Sequence, residues 1–264
     1  MLSQNDGSML CKYTDTFFQD RDGSHDLFHA FRVCANACKI STVDTLLTTI
    51  AALLHDTCDH KYATQKVQLV AMRSVLTSIL TDVEIDHIVG VVANTSFSRY
   101  KAHGEPTLPP QALVIWRQLS DCDMLEALGV VGCIRTLLYQ GFRNAKLPDG
   151  LSYIQDELIP KCVLFMHSEV ARKEANLRTN SMVHFVTWIQ NDVQGETYAQ
   201  KLIEWGSKRA SFMEVLSEIL RCWPVWIRTE LLREFDFAPM CEITRFLGDV
   251  DILKSYVKVC RMIV

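Results

Sequence analysis

The stretch AALLHDTCDH, residues 51–60, carries an unbroken apolar run straight into a histidine and an aspartate. We expect the helix that contains this run to open on Ser41, a residue type that caps helix N-termini. Its far end then presents His55 and Asp56 from a rigid, buried element. The apolar side chains recur at helical spacing on one face: Leu46, Leu47, Ile50, Leu53 and Leu54.

The composition is that of a globular protein with a sizeable core, because 48% of the 264 residues are hydrophobic. The net charge of -4 gives no sign of the basic face that nucleic-acid binding requires, so no nucleic-acid partner is expected. Charged residues or histidines interrupt every apolar run well before the roughly 18 residues of a membrane span. The N-terminal segment lacks the pattern of a secretory signal, and we expect a cytoplasmic protein.

Ten cysteines are scattered along the chain, and no two of them form a CxxC pair. Several lie inside apolar helical patterns, for example Cys34, Cys133 and Cys162. In a cytoplasmic protein such cysteines are typically reduced and buried. We therefore expect free thiols rather than disulfides or a zinc site of the CxxC type.

Glycine and proline are sparse, and the apolar period between them is helical. Thr81 and Glu84 have the spacing of a capping box at a helix start. The segment 157–190 reads as a long helical region with a break near Thr179. No segment reads as a strand, so the predicted fold class is all-α.

The helical patterns also suggest how the chain is divided. We expect a main helical bundle over residues 1–192 and an additional C-terminal helical region over residues 193–264. No internal repeat is visible that would indicate a solenoid.

Two further apolar segments carry polar side chains that suit a metal ion. His25 and His29, in GSHDLFHAFRV, are four residues apart and are expected to share one face of a helix. Two aspartates interrupt the apolar helix of LSDCDMLEALG, residues 119–129. Together with the His-Asp pair of the opening stretch, they offer mixed imidazole and carboxylate donors on separate helices, which suits a divalent ion.

Each of these residues also has a plain structural interpretation. A buried histidine is more often hydrogen-bonded in a core than bound to a metal, and the aspartates can pair with Arg117 or Arg135. What favours a metal site is the conjunction of polar breaks in three otherwise apolar helices. Burying that many ionisable groups without a metal or a partner is strongly unfavourable.

Four segments resemble those of the HD-domain superfamily of metal-dependent phosphohydrolases: SHDLFHAFRV, AALLHDTCDHK, NTSFS and SDCDMLEALGVVGCIRT. Within that superfamily they most resemble the small stand-alone bacterial-type HD proteins that include nucleotide pyrophosphohydrolases. The resemblance spans roughly residues 20–190 and does not extend over the tail. It implies an HD-domain-like helical bundle and a divalent metal held by an H…HD…D pattern.

Carried over position by position, the resemblance assigns His25 and Asp121 to positions around the metal rather than on it. From the residues alone, Asp121 and Asp123 are both candidates for the last ligand, and the DMLEAL context of the family motif falls on Asp123. Glu126 stands where the family commonly has an aspartate. The implied metal ligands are His29, His55, Asp56 and Asp123.

Candidates for proton transfer and phosphate binding follow the ligands closely in sequence. Asp59 lies three residues after Asp56, and the resemblance implies that an acidic residue at this offset handles the attacking water. Its alternative role is to cap the next helix. Lys61 is the candidate for a substrate phosphate, with His25 and Arg135 as further substrate contacts. Arg135 can equally pair with a buried carboxylate.

The resemblance implies hydrolysis of a nucleotide phosphate bond, and we favour pyrophosphohydrolysis of a nucleoside triphosphate. The enzymatic alternative is a 5′-nucleotidase or a cyclic-nucleotide phosphodiesterase. The alternative from another class is a non-catalytic HD scaffold that binds a protein partner. The expected cofactor is a divalent ion, with Mn²⁺ favoured over Mg²⁺, Co²⁺, Fe²⁺, Ni²⁺ and Zn²⁺. The expected partner is a nucleotide or another phosphorylated small molecule, with no membrane partner, and a homo-oligomer is compatible with the sequence.

Overall fold

The computed structural model describes residues 2–18, 21–58, 65–237, 240–247 and 254, and every regular element in these ranges is helical. The predicted all-α class is confirmed. The helices are α1 (Gln4–Phe18), α2 (Leu27–Ile40), α3 (Thr45–Leu54), α4 (Gln65–Leu76), α5 (Asp82–Asn94), α6 (Phe97–His103), α7 (Pro110–Glu126), α8 (Gly129–Phe142), α9 (Leu147–Tyr153), α10 (Ile159–Lys161), α11 (Glu169–Asn191), α12 (Val193–Ser207), α13 (Phe212–Cys222), α14 (Val225–Phe237) and α15 (Thr244–Leu247).

Side-chain caps set two of the helix starts, one as predicted and one not. The Thr81 hydroxyl accepts from the Glu84 N–H, and the Glu84 carboxylate accepts from the Thr81 N–H at 2.8 Å, so the predicted capping box begins α5. By contrast, the prediction that Ser41 opens α3 is wrong. The Ser41 N–H donates to the Ala37 carbonyl at 3.0 Å and closes α2, and the N-cap of α3 is Asp44 in the left-handed conformation.

The long helix α11 runs unbroken from Glu169 to Asn191, so the predicted break near Thr179 is wrong. The Thr179 hydroxyl donates to the Ala175 carbonyl at 2.8 Å and is satisfied within the helix. The irregular backbone lies earlier instead, where a π-helical turn and a 3-10 turn flank α10. Pro160 stands in that segment and has no N–H to continue an α-helical ladder.

The described residues form two compact units. The first takes its residues from 1–19, 30–123 and 238–262, and so contains α1, α3 to α6 and α15 with most of α2 and α7. Within it α3 packs on α5, and α1 packs on α15. The approach of α1 to α15 requires a glycine, because a Cβ on Gly7 would lie 1.5 Å from the Leu247 carbonyl oxygen.

The second unit takes its described residues from 20–29 and 124–237 and is built around α8. This helix packs against α11, α12 and α14. Two glycines let α8 and α12 touch through their backbones. A Cβ on Gly141 would lie 2.0 Å from the Ile203 carbonyl oxygen, and one on Gly206 would lie 2.0 Å from that of Leu138. Any side chain at either position would force these helices apart.

A buried ionic network, formed by Glu126, Glu174, Arg178 and Arg233, links α7, α11 and α14 in the second unit. Arg178 is fully buried, and its Nε donates to Glu174 at 2.6 Å while its Nη1 donates to the Leu125 carbonyl at 2.8 Å. Glu174 also accepts from Arg233 at 3.3 Å, and the Glu126 carboxylate lies 3.8 Å from Arg178. The network thus balances its carboxylates with guanidinium groups from the same chain.

Glu234 on α14 closes the N-terminus of α8. Its buried carboxylate accepts from the N–H groups of Val130 (2.7 Å) and Val131 (3.2 Å), while the N-cap residue Leu128 provides no side-chain hydrogen bond. Gly129 has φ 79°, and a Cβ there would lie 2.3 Å from a Glu234 carboxylate oxygen. A negative charge is favourable at a helix N-terminus, so this distant residue completes α8.

The predicted boundary between residues 1–192 and 193–264 falls where α11 ends and Asp192 caps α12, accepting from the Gln194 N–H at 2.7 Å. The compact units are divided along a different line, and the extent of the functional domain stays a prediction. Among the helices in the described ranges, none combines the length and the hydropathy needed to cross a membrane. The eight cysteines whose side chains are described are free, as predicted for them.

Candidate metal centre

The apolar helix α3 delivers the His-Asp pair as predicted, although from a turn that follows the helix. α3 has no charged side chain, and its residues from 47 to 54 are buried. It ends at Leu54, and His55–Cys58 form a 3-10 turn in which the Thr57 hydroxyl donates to the Leu54 carbonyl at 2.7 Å. The buried helix therefore anchors the position of His55.

A backbone carbonyl sets the orientation of the His55 ring. Nδ1 lies 2.7 Å from the Ala52 carbonyl oxygen, and because a carbonyl only accepts, Nδ1 is assigned the proton of this hydrogen bond. Nε2 then faces two carboxylates, with Asp56 Oδ1 at 3.4 Å and Asp123 Oδ1 at 3.7 Å. Both distances exceed those of a good hydrogen bond between nitrogen and oxygen.

A second imidazole completes a group of three. One ligand atom from each of His29, His55 and Asp123 lies within 4.8 Å of the other two. His29 is on α2 and Asp123 is on α7. The division between the compact units falls inside these two helices, directly after each residue, so His29 shares a continuous helix with residues of the first unit.

The chemistry of this group fits a divalent cation. In its neutral form, with the Nδ1 proton directed at the Ala52 carbonyl, His55 points the lone pair of Nε2 toward two carboxylate oxygens. Lone pairs that face each other repel, and a cation among them turns that repulsion into coordination. Two imidazoles with carboxylates form a mixed nitrogen and oxygen donor set, which suits first-row divalent ions. A metal-binding histidine usually donates a hydrogen bond from its other ring nitrogen to a group such as a carbonyl, as Nδ1 of His55 does here.

The two remaining acidic candidates differ in their positions. Asp56 lies beside His55, but it is not within 4.8 Å of all three members of the group. In the described ranges, Asp121 does not join the group either, and it is buried, whereas the Asp123 side chain is 29% exposed. The geometry supports Asp123 over Asp121 as the last ligand, and the full set of four stays a prediction.

Comparisons with known proteins point to one fold. No family model matches the chain. YpgQ, an uncharacterised protein of Bacillus subtilis strain 168, is 25% identical over 192 residues, which are 69% of this chain and 91% of YpgQ. The crystal structure of YpgQ in complex with ADP is similar with a TM-score of 0.57 at 18% identity, over 72% of this chain and 98% of YpgQ. An HD-superfamily hydrolase from Bacillus thuringiensis gives a TM-score of 0.55 at 22% identity, over 71% of this chain and 96% of its own.

The chain shares the fold of this HD-superfamily hydrolase and of YpgQ. The match covers nearly the whole of these two structures, whereas more than a quarter of this chain lies outside it. The chain therefore combines this shared fold with additional residues that the two structures do not match.

His25 lies before α2 and is not part of that helix. The interpretation of His25 and His29 as one helical face is therefore wrong. The cause is Asp26, which caps α2 by accepting from the His29 N–H at 3.1 Å, so that the helix begins at Leu27. The two imidazoles are nevertheless neighbours, with ring centroids 6.4 Å apart.

Asp22 holds His25 in place, and the sequence analysis missed this residue. The Asp22 carboxylate is buried, lies 3.2 Å from His25 Nδ1 and accepts from the Ser24 N–H at 2.9 Å. Burial acts to raise the pKa of Asp22, but the hydrogen bond and charge of His25, with the bonds from Ser24, hold that pKa well below its ordinary value. The signal in the sequence is DGSH, since an aspartate often bonds the backbone two residues further on in a turn.

Arg135 spans two segments that carry candidate ligands. Its Nε donates to the Ser24 carbonyl at 2.9 Å, in the turn before α2, and its Nη1 donates to the Glu126 carbonyl at 2.8 Å, at the end of α7. Ser24 directly precedes His25, and Glu126 follows Asp123 by three residues. These bonds support a positioning role for Arg135 over the predicted contact with substrate.

The two remaining predicted residues, Asp59 and Lys61, lie outside the described residues. Their roles in proton transfer and phosphate binding stay predictions.

Proposed function

We propose that this chain is a metal-dependent phosphohydrolase whose preferred reaction converts a nucleoside triphosphate and water into a nucleoside monophosphate and pyrophosphate. The observation that carries the proposal is the position of His55 Nε2, which faces two carboxylates within a group that also contains His29. The HD fold supports it, because a structure of similar fold is an HD-superfamily hydrolase. The crystallisation of YpgQ with ADP supports a nucleotide as the ligand.

The residues that would hold the ion are His29, His55, Asp56 and Asp123. Mn²⁺ is favoured for this mixture of imidazole and carboxylate, and Mg²⁺, Co²⁺, Fe²⁺, Ni²⁺ and Zn²⁺ are the competitors. When bound, such an ion lowers the pKa of a coordinated water and neutralises charge on phosphoryl oxygens.

Other side chains of the protein handle protons and phosphate. Asp59 is the proposed proton acceptor for the attacking water, and Lys61 is the proposed partner of a phosphate oxygen. His25 is the proposed substrate contact, held in a fixed orientation by the buried carboxylate of Asp22. Arg135 is proposed to hold the turn before α2 against the end of α7, and so to fix the positions of the metal ligands on these segments.

The test is a metal analysis of the purified protein, followed by a panel of phosphorylated substrates assayed with each divalent ion. Pyrophosphate released from nucleoside triphosphates is the expected result. Inorganic phosphate released from nucleoside monophosphates would instead show a 5′-nucleotidase, and opening of cyclic nucleotides would show a phosphodiesterase. A protein that binds a metal but hydrolyses nothing in the panel contradicts the proposal and favours the non-catalytic scaffold.

A further inference from the structure

A cavity of about 130 Å³ lies in the first unit, bordered by the end of α5, by α6 and by α7. The reaction proposed above makes no use of it. Its lining includes Asn94, Arg99, Tyr100, His103, Glu105 and Trp116.

Two aromatic residues give this cavity a fixed apolar wall. Trp116 is buried, and its indole N–H donates to the Asn94 carbonyl at 3.2 Å, which fixes the ring. The Tyr100 ring meets the indole edge to face, with centroids 5.0 Å apart and an interplanar angle of 87°. The wall is therefore formed before any ligand arrives, as is usual for small-molecule sites.

Polar groups complete the lining. The Arg99 guanidinium is held by the Ala93 carbonyl at 3.1 Å, and the Glu105 carboxylate is held by Arg117 in two hydrogen bonds of 2.8 and 2.6 Å. Together with His103, these side chains offer both donors and acceptors beside an aromatic wall. That combination suits a planar heteroaromatic ring with polar groups on its edge.

Helix α7 links the cavity to the metal centre. Trp116 and Asp123 are seven residues apart on this helix, which is almost two full turns, so they lie on the same face roughly 10 Å apart. A nucleotide with its phosphates near Asp123 would therefore have to extend along α7, toward the N-terminal end of this helix, for its base to reach the cavity.

The size of the cavity favours one class of base. A protein cavity of about 150 Å³ takes up benzene, a single six-membered ring. A volume of about 130 Å³ accordingly matches one ring better than the two fused rings of a purine.

We propose that this cavity, lined by Tyr100 and Trp116, receives the base of the nucleotide substrate and selects a pyrimidine over a purine. The inference rests on the proposed function, because it assigns the base of a substrate whose phosphates lie at the metal centre. It adds a substrate class that neither the fold nor the metal ligands determine.

The test compares kcat/KM for UTP, CTP, ATP, GTP and inorganic tripolyphosphate, which has no base. We expect at least about a fivefold preference for the pyrimidine nucleotides. Tyr100→Leu should lower the ratio of kcat/KM for UTP to that for tripolyphosphate about tenfold, mainly through KM, since contact between a base and an aromatic ring has about this strength. Tyr100→Phe keeps the ring and should retain most of the ratio. Tyr153→Leu, at a half-exposed tyrosine outside this cavity, is the matched control and should leave the ratio unchanged.

The outcomes separate this inference from the proposed function. Equal kcat/KM for all four nucleotides with no response to Tyr100→Leu overturns the base site and leaves the hydrolysis standing, and a purine preference overturns it equally. If no phosphate compound is hydrolysed, the proposed function has failed. The base site is then decided by calorimetric titration of uridine, cytidine and adenosine into the metal-free protein, where absence of pyrimidine binding overturns it.

Discussion

The metal centre and the buried ionic network differ in the groups that lie against their carboxylates. In the network, Glu174 is bound by Arg178 and approached by Arg233, so carboxylate and guanidinium belong to the same chain. In the metal centre, the carboxylates of Asp56 and Asp123 face the ring nitrogen of His55. The first arrangement is complete within the fold, whereas the second has the donor chemistry of a cation site.

The contrast is sharpest on α7, where acidic residues three positions apart belong to different clusters. Asp123 faces His55, while Glu126 lies 3.8 Å from Arg178 and is fully buried. Both interrupt the same apolar helix, and nothing in their immediate sequence tells them apart. The lesson is that the residues around an acidic side chain, and not the acidic residue itself, distinguish a candidate metal ligand from a member of a structural ion pair.

The largest expected effect comes from breaking the metal centre. His55→Ala and Asp56→Ala should each remove bound metal and abolish hydrolysis, while helical content stays near wild type. Added metal should raise the melting temperature of the wild type by mass action, with about 2.7 kcal/mol of stabilisation at a hundred times Kd, and this response should vanish in both variants. Elemental analysis measures the bound metal, and thermal melts with and without added metal measure the stabilisation. His184→Ala, at an exposed histidine, is the control. Full metal occupancy in either variant would reject the assigned site.

Breaking the ionic network should affect stability without involving metal. Arg178→Ala leaves the Leu125 carbonyl and part of the Glu174 carboxylate unpaired in the interior, so the free energy of unfolding should fall by about 3–5 kcal/mol. Urea denaturation should give the same loss with and without metal. Lys173→Ala, which removes an exposed ion pair with Glu169 on the same helix, should lose only a small fraction of that. Equal losses in the two variants contradict the role given to the network.

Asp59→Asn separates chemistry from metal binding. If Asp59 transfers the proton of the attacking water, the rate of nucleotide hydrolysis should fall about 10²–10⁴-fold, or about 3–5 kcal/mol of barrier, with metal occupancy unchanged. If Asp59 only caps a helix, asparagine caps almost as well and the rate barely changes. A rate within about threefold of wild type, with metal bound, removes Asp59 from the mechanism.

The smallest expected effect concerns the geometry around the metal. Arg135→Lys keeps the positive charge but cannot bridge the Ser24 and Glu126 carbonyls as a guanidinium does, so metal affinity should fall about 10–100-fold. Titration with Co²⁺, followed by absorbance, measures this directly. Arg143→Lys, at an exposed arginine directly after the same helix, is the matched control. Unchanged affinity in Arg135→Lys shows that the bridge does not position the ligands.

Local patterns predicted local structure well, and long-range contacts decided the rest. The capping box of Thr81 and Glu84 and the delivery of His55 by an apolar helix depend on a few neighbouring residues, and both are found. His25 was wrongly assigned to α2 because the cap formed by Asp26 competes with a helical period that continues through it. The hydrogen bond from Arg178 to the Leu125 carbonyl joins residues 53 positions apart, which no local pattern encodes.

The cap that Glu234 places on α8 has a consequence for the order in which the chain is completed during synthesis. The carboxylate lies 104 residues downstream of the first N–H that it accepts. At about 5–20 residues per second, a ribosome needs roughly 5–20 s to reach Glu234 after α8 has been made. Throughout that interval the central helix of the second unit has its first N–H groups open to water or to other acceptors. A nascent chain stalled in this window therefore carries a central helix whose N-terminus Glu234 has not yet capped.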